Sequence, residues 1–371
     1  MKIRPPTPIQ AAALGAALLP GEGAFAAYDE LRALTDNLDH MDAATFRMLP
    51  MVYRNLKALG VDDERLATLK GIYRQSWYRN RISVGSAMRA VTVLRANGVE
   101  PVALKGLGLI ASAYREAALR PMHDVDLLIA PGSYRASVDA LVDAGWKPLR
   151  GDRADFFRRV RVFHALPLAG PDGIEVDLHR RMLEENCFPG ADEHALARTR
   201  CFEIGDDTVT TLAPEDHVIN ACVHGVRWDP VPALRWVLDV VVAVRSAGEN
   251  FDWNYLVEEA RNRRITLALA GALEFARSYE SSIPEVVLEQ LAAIPADKLE
   301  RFDFRVQQGG NGLGTQVARY FTRYGRLASG RGVLRKVTEF PTYLECMWEL
   351  DSPSAVPRDG ISRIWRRLRE G

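Results

Sequence analysis

The sequence predicts an α+β protein in which a small mixed sheet is flanked by an N-terminal and a C-terminal helical region. Three observations carry this. Apolar residues recur at helical spacing through residues 7–97, as in Leu31, Leu34 and Leu38 and again in Met88, Val91 and Leu94. Short apolar runs then replace that rhythm at 99–104 and 125–129, and residues 174–179 alternate with a period of two. Beyond Pro214 the helical rhythm returns over 215–226, 231–246, 253–263, 267–279 and 284–293. The chain therefore divides into a helical region 1–97, an α/β core 98–212 and a helical domain 213–371, a division its 371 residues can support.

In chain order, Pro20-Gly21 and Leu59-Gly60 punctuate the first helices. The Ala-rich run 11–19 superficially resembles the apolar part of a secretion signal, but it reads more simply as a first helix. In the core, a helix over 108–118 connects the first two strands, and a second over 133–144 ends at Gly145-Trp146. The glycine-rich stretch 309–314 lacks a following Lys-Ser/Thr and a preceding strand, so it is expected to be a connection and not a phosphate loop. Residues 363–369 form a basic amphipathic pattern, read as a solvated terminal helix.

Composition narrows the partners. A hydrophobic fraction of 47% and a charged fraction of 26% are those of an ordinary soluble protein, and 48 basic residues balance 48 acidic ones. That balance disfavours nucleic acid as a partner, since the whole-molecule attraction of a dedicated binder is missing. The arginines at 150, 153, 158, 159 and 161 read as a solvated face; a basic groove there would favour a role that modifies RNA or protein. Cys187, Cys201, Cys222 and Cys346 have neither CxxC spacing nor a disulfide pattern, and a cytoplasmic location is expected. No apolar run reaches the ~20 residues that span a bilayer; the run 237–244 is interrupted by Asp239.

The chemistry is concentrated in 123–129, His-Asp-Val-Asp-Leu-Leu-Ile. Alternate side chains of a strand share a face, so Asp124 and Asp126 are expected on one side, roughly 6.5–7 Å apart along the backbone. Two unpaired carboxylates on a buried strand would cost several kcal/mol each without a cation. Glu175, Asp177 and His179 share a face of the next strand. If that strand lies beside 125–129, Asp124, Asp126 and Asp177 can converge on two magnesium ions about 3.5–4 Å apart, the arrangement of in-line phosphoryl displacement. His179 has three readings: a metal ligand, a base, or a structural hydrogen bond to one of the acids. His217 and His224 lie on one helix face and, with Trp236 and Asp239, either line a cleft or serve helix packing.

Four pieces of the chain resemble the DNA polymerase beta-like nucleotidyltransferase superfamily, and within it a mostly uncharacterised bacterial family. They are Leu104-Lys105-Gly106 after a strand; Arg120 ahead of His123-Asp124-Val125-Asp126-Leu127-Leu128; Val176-Asp177-Leu178-His179; and Pro214-Glu215-Asp216-His217 with a later Cys222-Val223-His224-Gly225. The resemblance covers about residues 80 to 290. It implies a magnesium- or manganese-dependent nucleotidyltransferase core. That core would move a nucleoside monophosphate from a nucleoside triphosphate co-substrate onto a hydroxyl or phosphate of a small-molecule, sugar or peptide acceptor. Asp124, Asp126 and Asp177 would be catalytic and metal-binding; Lys105, Gly106, Arg120 and His179 would serve the nucleotide. One departure stands out. The superfamily has Gly-Ser where this chain has Gly106-Leu107, so the phosphate-binding hydroxyl is missing, and Lys105 with the helix-start N–H groups is the expected substitute. Arg120 either contacts phosphate or anchors its loop through a salt bridge. Two alternatives compete: a metal-dependent glycosyltransferase using a nucleotide sugar, and a non-catalytic nucleotide-binding member of the fold.

Overall fold

A computed structural model describes residues 4–38, 41–160, 162–186, 188–227, 233–310, 312–350, 352–360 and 362. Cys187, Asn311, Arg161, the start of the 231–246 run and the basic tail 363–369 lie outside the described residues.

The sheet is mixed, as expected. Its strands are β1 (Val102–Ala103), β2 (Val125–Leu128), β3 (Lys147–Pro148), β4 (Ala165–Ala169), β5 (Glu175–His179), β6 (Arg200–Ile204) and β7 (Asp207–Thr211). They are arranged in the order β3-β4-β5-β2-β1-β7-β6. β2 and β5 pair in parallel at the centre, while β1 runs antiparallel to β2 and parallel to β7. Central position explains why β2 reads as a buried apolar run, while β5 keeps the alternation that turns its polar residues to one face. The β6–β7 hairpin closes through Gly205, whose φ of +66° is the left-handed conformation that glycine tolerates.

Period-two alternation sorts the side chains of β2 and β5 between two cores. Val125, Leu127, Val176 and Leu178 pack on one face against Val84, Val91 and Leu94 of the long helix Arg65–Ala96 and against Val138 and Leu141 of the helix Tyr134–Asp143. The opposite face carries Val102 and Leu128 into a second core. That core joins N-terminal helix residues such as Leu14 and Leu56 to C-terminal ones such as Val237 and Leu269. The two helical regions thus meet over the sheet face that also bears Asp126, Asp177 and His179.

The helical elements follow the sequence pattern closely. The Ala-rich run is the helix Pro8–Leu18, capped by Thr7 and Gln10, with Ala12, Ala13, Ala16 and Ala17 buried. The C-terminal helices include Pro214–Gly225, Arg235–Ala247, Trp253–Arg263, Thr266–Ala276 and Glu285–Ala293. One connection differs from expectation. The helix expected at 108–118 begins earlier, as Lys105–Leu109, and runs into a π-type turn Ile110–Tyr114 that ends at Arg115 with φ +60°. The wider turn ends the helix short of the expected residue 118. The glycine-rich stretch connects the helices Lys298–Gln308 and Leu313–Leu327.

Arginines 150, 153, 158 and 159 are not a free basic groove. Each faces carboxylates: Arg150 and Arg159 reach Glu349, Arg153 reaches Asp139 and Asp143, and Arg158 reaches Asp155 and Glu345. No helix among the described residues is long and apolar enough to cross a membrane.

Candidate active site

Parallel pairing places Asp126 directly opposite Asp177, and Leu128 opposite His179. Ligand atoms of Asp126, Asp177 and His179 all lie within 4.8 Å of one another. Asp126 is 3% exposed, so its charge must be matched locally. Lys105 Nζ lies 2.6 Å from its Oδ1, and His179 Nε2 lies 2.8 Å from the same oxygen. Burial would raise the Asp126 carboxyl, but the His179 hydrogen bond and the Lys105 charge win and hold it well below the usual carboxylate range.

Asp177 goes the other way. Burial, then the charge of Asp126 and, beyond His179's opposing effect, that of Asp124 push it up to about 6. Lys105 is engaged on Asp126, and Asp177 has no salt-bridge partner among the described residues. The His179 ring makes the same point. Its Nδ1 faces the Arg181 carbonyl at 3.1 Å and its Nε2 faces a carboxylate oxygen, and both partners are acceptors. A neutral imidazole has one N–H, so the ring needs either a second proton or a cation at Nε2. The residues present therefore fit a divalent metal, with hard oxygen donors predominating.

Asp124 is exposed in the bend just before β2 and lies outside the Asp126, Asp177 and His179 group, although its charge reaches Asp177. Glu175 sits at the start of β5, opposite Ala169, and is also outside the group. His164, which sequence reasoning overlooked, packs edge-on against His179 with ring centroids 5.3 Å apart.

The turn that replaces Gly-Ser has a specific construction. Lys105 adopts φ +41°, rare for a residue with a side chain and costing on the order of 1–3 kcal/mol, and its ammonium group is fastened to Asp126. A Cβ on Gly106 would lie 2.4 Å from Met122 Sδ and 2.8 Å from Arg120 Nη1, so only glycine allows that approach. Leu107 is fully buried in the core on the far side of the sheet. The position of the missing serine is thus a packing position. Ser112 does not replace it, since its hydroxyl donates to the Gly108 carbonyl.

Arg120 makes the anchoring salt bridge. Its Nε and Nη2 donate to the two oxygens of Asp239, both at 2.9 Å, and Tyr114 adds a third hydrogen bond to Asp239 at 2.8 Å. This buried bidentate pair ties the segment before β2 to the helix Arg235–Ala247. His217 is likewise structural at one end: Thr211 Oγ1 donates to the Ala103 carbonyl at 2.6 Å and lies 3.0 Å from His217 Nε2. Burial pushes the His217 imidazole down to about 3. Both His217 and His224 line a cavity beside Lys105, together with Trp236 and Asp239. Arg47 and Arg235, which had no motif to mark them, line it too.

The model of the family described as uncharacterised nucleotidyltransferase matches residues 42–279. The match takes in every strand of the sheet, the Asp126, Asp177 and His179 group and the helices that carry His217 and Asp239. No curated protein matches the chain.

Proposed function

The chain belongs to the uncharacterised nucleotidyltransferase family, and from that premise we propose that it moves a nucleoside monophosphate from a nucleoside triphosphate to a small-molecule, sugar or peptide acceptor. A hydroxyl or phosphate oxygen of the acceptor attacks the α-phosphorus, the α–β phosphoanhydride bond breaks, and pyrophosphate leaves with the electron pair. The observation that carries this reading is the register of β2 and β5, which sets Asp126 and Asp177 side by side with His179 within 4.8 Å.

Asp126 and Asp177, with Asp124 or His179 completing the set, would hold magnesium or manganese. When bound, such a cation supplies charge neutralisation for the triphosphate and lowers the pKa of the acceptor hydroxyl. The protein's own contribution is positioning. His179 orients Asp126 from one side and Lys105 from the other, so the carboxylate does not rotate freely. Lys105, fixed by its strained backbone, sets a positive charge at the edge of the site where a phosphate chain would lie. Asp177, held near 6, is the carboxylate whose charge state responds most to an arriving cation.

A second reading is favoured by one observation: Lys105 Nζ already takes an Asp126 oxygen at 2.6 Å. An ammonium group in place of a cation suits a member that binds nucleotide without turning it over. Incubation with triphosphates labelled at the α-phosphate, together with fractionated small molecules and peptides from cell extract, separates the two. Transfer of α-label but not γ-label to a product, lost in Asp177→Asn, supports the transferase. Nucleotide binding with no transfer from any fraction contradicts it.

A further inference from the structure

Beside the carboxylates, on the other side of Lys105, lies a cavity of about 140 Å³ enclosed by the sheet end and the helices Pro214–Gly225 and Arg235–Ala247. That is room for several waters or for a small anion such as phosphate. Its lining is strongly cationic. Among the described residues that line it, Arg47, Lys105, Arg120 and Arg235 face a single carboxylate, Asp239. Lys105 is paired with Asp126 and Arg120 with Asp239, which leaves Arg47 and Arg235 without a carboxylate partner among the described residues.

Crowded cations in a partly enclosed space attract an anion. Burial, followed by the charge of Arg120, pulls Arg235 down to about 10, with Arg47 adding to the repulsion. Among the described residues its guanidinium donates to the Pro121 carbonyl at 2.8 Å. An independent observation points the same way. Trp236 is 4% exposed and lines the cavity, yet its Nε1–H, which can only donate, has no acceptor among the described residues. His217, 2% exposed, lines the cavity with an unpartnered Nδ1; because its Nε2–H serves Thr211, Nδ1 is an acceptor suited to a water or a P–OH group.

We propose that this cavity binds a phosphate or diphosphate anion, with Arg47, Arg235 and Trp236 Nε1 as its donors. The nucleotidyltransferase reading bears only on the anion's source: the terminal phosphates of the donor triphosphate, or the phosphate of a phosphorylated acceptor. The ligand chemistry is the same in both cases. Arg47 comes from the N-terminal helices and Arg235 from the C-terminal ones, so an anion here would link the two helical regions across the active-site edge.

The test is calorimetric titration of inorganic pyrophosphate into the full chain in metal-free buffer containing chelator. Wild type and Asp177→Asn should bind, while Arg235→Gln and Arg47→Gln should each bind at least tenfold more weakly. Arg47 is only half-buried, so its variant remains informative if Arg235→Gln fails to fold. Absence of pyrophosphate binding by wild type, or undiminished binding by both arginine variants, overturns the proposal. Binding lost in Asp177→Asn but kept in the arginine variants would place the anion at the carboxylates and also overturns it, whereas failure of the transferase reading would leave pyrophosphate binding intact. A non-hydrolysable triphosphate with magnesium then identifies the source. Competition with pyrophosphate supports the site as the seat of the donor's phosphates, and simultaneous binding supports it as the seat of the acceptor's phosphate.

Discussion

Asp177 makes the metal-free protein less stable as pH rises through the range where most proteins are most stable. Its carboxyl is raised from 3.8 to about 6 by burial and by the neighbouring charges of Asp126 and Asp124. For a raised carboxyl the sign is fixed: the folded state holds the proton more tightly than the unfolded chain does. The stabilisation is complete below pH 3.8 and is lost as pH climbs through about 6. A difference of about two pH units at 1.36 kcal/mol each corresponds to roughly 3 kcal/mol. Asp177 is partly accessible to solvent, and it shares its site with Asp126 and His179, so this is an upper figure and the titration belongs to the group as a whole. The assay is urea unfolding of wild type and Asp177→Asn at intervals from pH 4 to pH 7 with chelator present, taking the difference between the two proteins so that other titrations cancel. The wild type should lose up to about 3 kcal/mol relative to the variant across that window, and millimolar magnesium should restore it at pH 7 in wild type alone. A difference constant to within about 0.5 kcal/mol, the usual limit of additivity, would refute the crowded-carboxylate account.

Three other outcomes follow from the same geometry. Arg120→Met and Asp239→Leu should each cost about 3–5 kcal/mol by leaving a buried charge unpaired, and the double variant should cost clearly less than their sum in a chemical-denaturation cycle; simple additivity would remove the anchor. Leu107→Ser restores the superfamily's residue type but should lower stability by about 2–5 kcal/mol without raising triphosphate affinity, because that side chain faces the far core; calorimetry showing tighter nucleotide binding would contradict this. Gly108→Ala should cost about 1–3 kcal/mol by thermal unfolding, since a Cβ would meet Thr211 Oγ1 at 2.3 Å and the Ala103 carbonyl at 2.5 Å; an unchanged midpoint would show that the helix Lys105–Leu109 is not held against β1 and β7 at this residue.

Legibility in the sequence followed how local each feature is. Period-two alternation in 174–179 and the apolar run at 125–129 were readable because a strand's facing depends only on its own residues, whereas the pairing of Asp126 with Asp177 stayed conditional until the parallel register of β2 and β5 supplied it. Helix extents in the C-terminal region were readable for the same reason, with Trp253–Arg263 matching at both ends. Arg120 could be seen to matter but not to whom it belonged, because Asp239 lies 119 residues away and nothing local encodes that distance. Arg47 and Arg235 were invisible as site residues, since each is one arginine among many until the two helical regions fold onto the same sheet face. His164 is similar: only the antiparallel pairing of β4 with β5 brings it to His179. Asp124 was expected beside Asp126 on the strand face, but β2 begins at Val125 and the residue before it lies in an exposed bend. The π-type turn was read only as part of a longer helix.

The central claim is that Asp126 and Asp177 form a metal-dependent nucleotide site. Calorimetric titration of ATP, GTP, CTP and UTP with magnesium or manganese, into wild type and into Asp126→Asn and Asp177→Asn, tests it directly. The account predicts binding of at least one triphosphate that requires the metal and is lost in both variants despite intact folding. Absence of binding by wild type, or binding indifferent to metal and to both substitutions, would contradict it.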